Sequence, residues 1–326
     1  TLKGNNGQVR LLLSASASLP LVYFTEENKP SPMTAPNFCM FLRKYIANGR
    51  IISITQPSFE RIIQFEIEHL NELGDPCKKL LIIELMGKHS NIIFTDMDGL
   101  ILESVKHVSG STSSVREVLP GRTYFIPNIQ HKENPLLADE CSFIQAISTQ
   151  ETSVQKAIFG AYSGISPIAA LELCYQADLD HELLYEELTE EQKLCLATVF
   201  IHYFKQVKDG NFQPVLISKE HEPLEYSSLP LTLYANEELE YPESISATLH
   251  LFYNRKEQYT RIRQKSVDLR RIVTTALDRN RKKYELQKKQ YSDTEKKDKY
   301  KVYGELLHTY GYELTGGETK LEALNY

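Results

Sequence analysis

Lys88, His89, Ser90 and Asn91 occupy four consecutive positions inside ELMGKHSNIIFTD (84–96), between two apolar runs, and each carries a group that could act on a ligand. A nucleophile needs a base within reach of its hydroxyl. In a strand, successive side chains point to opposite faces of the sheet, so His89 is not expected to serve Ser90. A metal would need more ligands than His89 supplies, and His107 brings no Cys or carboxylate at a recognised spacing. MGKHS also lacks the glycine spacing of a phosphate-binding loop. Two readings stay open. One is a turn that presents Lys88, His89 and Asn91 as donors to phosphate, sugar or base edges. The other is a structural turn in which Ser90 and Asn91 bond their own backbone.

The elements that would position these residues change character along the chain. From residue 9 to about 125, short β-rich runs alternate with turn signals: VRLLL, PLVYF, RIISIT, RIIQFEI, KKLLIIEL, NIIFTD and LILESVKHV. DMDG (96–99) between the last two is an Asp-Gly hairpin signal. One helix is expected inside APNFCMFLRKYIANG, where Phe38, Phe41, Leu42, Tyr45 and Ile46 recur at helical spacing, Pro36 suits its first turn and Asn48-Gly49 its end. Consecutive strands with short connections pair antiparallel, so this part reads as an α+β domain.

After the IPNIQHKENP loop (126–135), helical periodicity runs to about residue 208. In YSGISPIAALEL, Ser166 is the expected N-cap, Pro167 the first helical residue, and Gly164 sharpens the turn before them. Such a turn can hold a phosphate on free N–H groups, or can simply cap a helix in a small bundle. Residues 211–243 read as a strand-like return punctuated by proline. A long polar helix is expected from about Ile245 to Tyr291, with a thin heptad seam through Tyr259, Ile262, Ser266, Leu269, Val273 and Ala276, then Leu277, Tyr284 and Tyr291 in a shifted phase. A seam that thin asks for one partner helix, and the returning arm of a coiled-coil hairpin is expected beyond this sequence.

Charge separates the same regions. Residues 255–301 hold 17 Lys and Arg against 7 Asp and Glu, a net of +10 in a chain whose total is −6, which leaves −16 on the rest. DLRRIVTTALDRNRKKYELQKKQ, with Arg270, Arg271, Arg279, Arg281 and Lys282, is therefore either a solvated coiled-coil face or a contact for RNA and a ribosome surface. Five widely spaced cysteines without a CxxC pair fit a reducing, cytoplasmic setting better than a disulfide framework or a zinc site. No apolar run approaches the length of a membrane helix, no signal peptide is visible, and no membrane partner, metal or cofactor is expected.

APNFCMFLRKYIANGRI, ELMGKHSNIIFTD, ESVKHV followed by REVLPGRTY, GISPIAALEL and VYGELL occur in an order that resembles the NFACT family, whose bacterial members are called RqcH or fibronectin-binding protein A and whose eukaryotic relative is NEMF. The similarity covers nearly the whole chain. It implies an NFACT-N antiparallel β domain at 1–130, similar to the N-terminal domain of formamidopyrimidine-DNA glycosylase. A helix-hairpin-helix domain is then implied at 131–243, the first arm of a coiled coil at 244–302 and the start of a coiled-coil tip domain at 303–326. Family members begin earlier and continue into a second arm and an NFACT-R domain, so the chain is similar to an N-terminal fragment.

The resemblance also implies a function. RqcH-like proteins bind a large ribosomal subunit obstructed by peptidyl-tRNA and recruit alanyl-tRNA for template-free C-terminal alanine tailing. The peptidyl transferase centre of the ribosome makes the bonds, so the protein is expected not to be an enzyme. The family's acidic-Arg pair, typically Asp-Arg and needed for tRNA engagement, matches Glu60-Arg61 in SFERIIQFEI. A Glu can still orient an arginine fork or accept from a base amino group. Arg43, Lys44, Arg50, Lys88, His89, Asn91, Arg116 and Arg122 are the further candidate tRNA contacts, with Arg116 and Arg122 equally suited to structural ion pairs. The rival reading is an adhesin for fibronectin. A base-excision enzyme, suggested by fold analogy alone, lacks the zinc-finger cysteines, and its N-terminal nucleophile would fall outside this sequence.

Overall fold

Apolar residues at every second position turn one face of the outer strands inward, while the central runs LLII and IIF are apolar and buried on both faces, and together they build the first third of the molecule. The computed structural model describes residues 1–4, 7–28, 30–113, 115–126 and 132–324. Strands β1 (Leu2–Gly4), β2 (Gly7–Ala15) and β3 (Pro20–Thr25) form an antiparallel sheet in that order. Helix α1 (Asn37–Ile46) follows, with Pro36 at its N-cap and Asn48 in the left-handed region (φ 64°) where the chain turns out. Then β4 (Arg50–Thr55), β5 (Ile62–Leu70), β6 (Pro76–Glu84), β7 (Asn91–Thr95) and β8 (Ile101–Ser104) make a five-stranded antiparallel meander. Phe65, Leu81, Ile83 and Phe94 pack on one face of that sheet against Phe41, Leu42 and Tyr45 of α1. Ile62, Ile82, Ile93 and Ile101 pack on the other with Val118.

The Asp96–Gly99 hairpin forms as its residues dictate. The Asp96 carboxylate accepts from the N–H groups of Asp98 (3.0 Å) and Leu100 (2.8 Å), and Gly99 takes φ 81°. The chain that follows lies partly outside the described residues, including 127–131 of the expected loop and the expected domain boundary at 130.

Helices α2 (Glu140–Ser148), α3 (Val154–Ala161), α4 (Pro167–Gln176) and α5 (Glu190–Asp209) enclose a second core built on Phe143, Tyr162, Leu173 and Phe200. Their starts are set by local chemistry. Asp139 and Thr189 form capping boxes, and Ser166 accepts from the N–H of Ala169 at 3.1 Å. Gly210, left-handed at φ 71°, ends α5. The extended return resolves into β9 (Val215–Lys219), β10 (Glu222–Ser227) and β11 (Glu238–Glu240), a sheet in the order β10-β9-β11.

Glu172 of α4 fastens this small sheet to the helices. Fully buried, it accepts from Thr232 N (2.8 Å), Thr232 Oγ1 (2.6 Å), Leu233 N (3.0 Å) and Gln176 Nε2 (2.6 Å). Glu172→Ala strands those donors and is expected to lower stability by about 3 kcal/mol. The check is a lower urea midpoint at unchanged slope, with Glu172→Gln losing less.

The chain divides into two units, Thr1–Lys256 and Glu257–Tyr326. The last helix, α6 (Ile245–Tyr310), begins in the first and fills most of the second. It continues past residue 302, where the first arm was expected to end, because no proline interrupts it before Gly311. Among the described residues of the second unit nothing covers the seam: Ile262, Leu269, Val273, Leu277, Tyr284 and Tyr291 are all exposed.

Candidate nucleic-acid interface

The register of the large sheet decides which of the candidate cations stand together. Ile62, the first residue of β5, pairs with Glu84, the last of β6, and just beyond them the N–H of Leu85 donates to the carbonyl of Arg61 at 2.8 Å. The turn after β6 therefore starts beside Arg61. Gly87–His89 form a single 3-10 turn in place of the strand expected for His89 and Ser90. Gly87 is left-handed at φ 56°, which permits the tight reversal. Ser90 turns inward and its hydroxyl accepts from Met86 N at 2.8 Å, while Lys88 and His89 remain exposed. Arg61 is exposed too, and among the described residues the side chains of Arg61, Lys88 and His89 make no hydrogen bond or ion pair. One end of the sheet thus carries exposed donors that, among the described residues, have no ion-pair partner.

Asn91 follows the structural reading of the turn. It is 2% exposed, and its amide donates to Lys106 O (2.8 Å) while its oxygen accepts from Ile92 N and Lys106 N (both 2.9 Å). The two Lys106 contacts tie β7 to the chain after β8, and with its side chain buried Asn91 has no part in the exposed surface.

Arg116 is likewise turned inward. Its guanidinium pairs with the fully buried Glu84 through Nη2 and donates to Phe125 O at 2.8 Å through Nη1. The Tyr124 hydroxyl donates to the other Glu84 oxygen at 3.0 Å. Burial, and after it the negative charge of Glu84, push the Tyr124 phenol well above its ordinary range, so it stays protonated and donating. This brace sits at the end of β6, where Glu84 pairs with Ile62, the residue after Arg61.

The remaining candidates lie elsewhere. Arg50 pairs with Glu68 (3.2 Å) and Lys44 with Glu72 (3.0 Å), toward the far end of β5, roughly 25 Å from Arg61 by strand rise. Arg43 is exposed on the last turn of α1 and reaches Met40 Sδ at 3.8 Å. Arg122 pairs with Glu117 at 2.8 Å. In the second unit Arg270, Arg271, Arg279, Arg281 and Lys282 are exposed along α6 and make no ion pair among the described residues.

Glu60 departs from its neighbour. Its Oε1 accepts from Ser163 Oγ at 3.1 Å, in the turn that leads into α4. The local sequence points to Gly164 in that turn and not to Ser163 or Phe59, whose contacts span more than a hundred residues. The one available signal was an aromatic residue immediately before the charged pair. Among the described residues no group of three or more His, Cys, Asp or Glu is placed to hold a metal, and no helix is long and apolar enough to cross a membrane.

Residues 1–326 match the family profile of NFACT N-terminal and middle domains. The Rqc2 homolog RqcH of Bacillus subtilis is 35% identical over 325 residues, which are 99% of this chain and 54% of that protein. This chain therefore spans about half the length of that relative. The solved N-terminal structure of the fibronectin/fibrinogen-binding protein from Streptococcus suis matches with a TM-score of 0.63 and 32% identity, over 77% of this chain and 85% of that one. The fibrinogen binding protein from Staphylococcus aureus matches with a TM-score of 0.65 and 26% identity over the same shares. An antiparallel β domain followed by helices is the architecture these matches share with this chain. The chain belongs to the NFACT family.

Proposed function

We propose that the protein acts in ribosome-associated quality control: it binds a large ribosomal subunit obstructed by peptidyl-tRNA and recruits alanyl-tRNA for template-free alanine tailing. Peptide bond formation is left to the ribosome. The reading takes with it the family's finer assignments, namely a β domain similar to that of formamidopyrimidine-DNA glycosylase, a helix-hairpin-helix character for α2 to α5, and a coiled-coil seam on α6. What supports it, beside the likeness to RqcH over 99% of the chain, is the exposed Arg61, without an ion pair among the described residues, at the sheet end that also carries Lys88 and His89. An arginine fork fixed at its backbone suits a phosphate or a base edge.

Arg61→Ala is expected to weaken tRNA binding about tenfold and to reduce the slope of log affinity against log salt by about 1. The test is affinity purification of the full-length protein from its own cells, with sequencing of the bound RNA. Large-subunit RNA with one enriched tRNA, and an Arg61→Ala form that keeps the subunit but loses the tRNA, would support the proposal. If neither form brings down RNA, the reading fails. The second reading, fibronectin binding, takes its motive from the name of the Streptococcus suis relative, a fibronectin/fibrinogen-binding protein. It predicts capture of fibronectin by intact cells, and a protein confined to the soluble cell fraction would sink it.

A further inference from the structure

Glu60 and Arg61 are adjacent in sequence and have different surroundings. The loop from Gln56 to Glu60 joins β4 to β5, and two of its residues, Ser58 (φ 51°) and Phe59 (φ 56°), hold left-handed backbone that non-glycine residues rarely adopt. Such strain persists only where the surroundings enforce it. Here the surroundings are the helical layer. The Phe59 ring meets Phe204 of α5 edge to face, with centroids 6.0 Å apart, and joins the Phe143–Phe200 core. Gly164, at φ +71°, leaves the space Phe59 fills: a Cβ there would stand 2.5 Å from Phe59 Cδ1 and 2.6 Å from Phe59 O. Ser163 then donates to Glu60 Oε1. Two consecutive loop residues are thus held by two consecutive residues of the turn before α4. Arg61 comes next, flanked on its other side by the fully buried Ile62.

We infer that Glu60 is a positioning residue, whose carboxylate fastens the β layer to the helical layer through Ser163 and so fixes where Arg61 presents its guanidinium to RNA. The RNA half of this inference rests on the function proposed above. The fastener half rests on the contacts alone. A Glu60 that met RNA directly would offer a carboxylate to a base amino group, and changing Ser163 would then be silent.

The experiment uses the full-length protein, fluorescein-labelled total tRNA from the same cells as probe, and the variants Glu60→Ala, Glu60→Gln, Ser163→Ala, Glu60→Ala with Ser163→Ala, and Arg61→Ala. Glu60→Ala and Ser163→Ala are expected to weaken tRNA binding by the same factor, about three- to tenfold, and the double variant by no more than either. Glu60→Gln, whose side-chain carbonyl accepts the same hydroxyl, stays within about twofold of wild type. Ser163→Ala binding like wild type while Glu60→Gln loses affinity overturns the proposal. Hydrogen exchange measured without RNA reads the fastener separately. Glu60→Ala should speed exchange at 162–166 and Ser163→Ala at 56–61, and unchanged exchange in both overturns it. Should Arg61→Ala bind tRNA like wild type, the RNA reading of the site fails and the positioning role with it, while the exchange data still decide the fastener.

Discussion

Arg116→Ala is expected to destabilise the β domain by about 3–5 kcal/mol, the loss typical of a buried ion pair stripped of one partner. Glu84 is 0% exposed and the Arg116 side chain 12%. Without the guanidinium, the carboxylate keeps the Tyr124 hydroxyl and no cation, and the carbonyl of Phe125 loses its donor. The desolvation of Glu84 then stands without the charge that offset it. The matching control replaces the whole brace with apolar side chains, Glu84→Leu, Arg116→Met and Tyr124→Phe, and should lose less than Arg116→Ala alone, because no buried carboxylate is left without a cation. Urea unfolding at constant slope reads both. A loss below about 1 kcal/mol for Arg116→Ala would mean that water reaches Glu84 and the pair contributes little. The effect would extend to the surface, since Glu84 ends the strand whose next residue holds the Arg61 carbonyl.

Much of this fold is legible in local sequence. Alternation in IIQFEIEHL marks β5, DMDG marks the β7–β8 hairpin, and Ser166-Pro167 marks the start of α4, because each signal acts within a few residues. What lies beyond local reading is partnership. Arg116 and Arg61 are chemically alike, yet one is folded inward by Glu84, 32 positions away, and the other is left free. Asn91 was a candidate donor by type, and its amide is taken up by Lys106 after the intervening hairpin closes. That Lys88 stands beside Arg61 while Arg50 lies toward the opposite sheet end follows from pairing register, which composition does not encode. Gly164 read as a turn residue, and its close approach to Phe59 depends on two layers packing. The Glu60-Arg61 pair came from family resemblance; spacing alone would have passed over it.

The basic stretch of α6 gives the second large effect. Replacing Arg270, Arg271, Arg279, Arg281 and Lys282 together with Gln is expected to reduce the slope of log affinity for large ribosomal subunits against log salt by about 4, if each side chain neutralises one phosphate. The fold should not change. All five are exposed and make no ion pair among the described residues, and Gln is close to Arg and Lys in helix propensity. At 3.6 residues per turn, the five fall within one half of the helix circumference, and Ile262, Leu269, Val273 and Tyr284 within the other. The substitutions therefore leave the apolar seam and any helix it receives untouched, which separates loss of charge from loss of packing. Cosedimentation with purified large subunits over a series of potassium concentrations, beside helical content by circular dichroism, makes the measurement. A variant that follows the wild-type salt line would show these charges to be a solvated face, and α6 would drop out of the proposed ribosome contact.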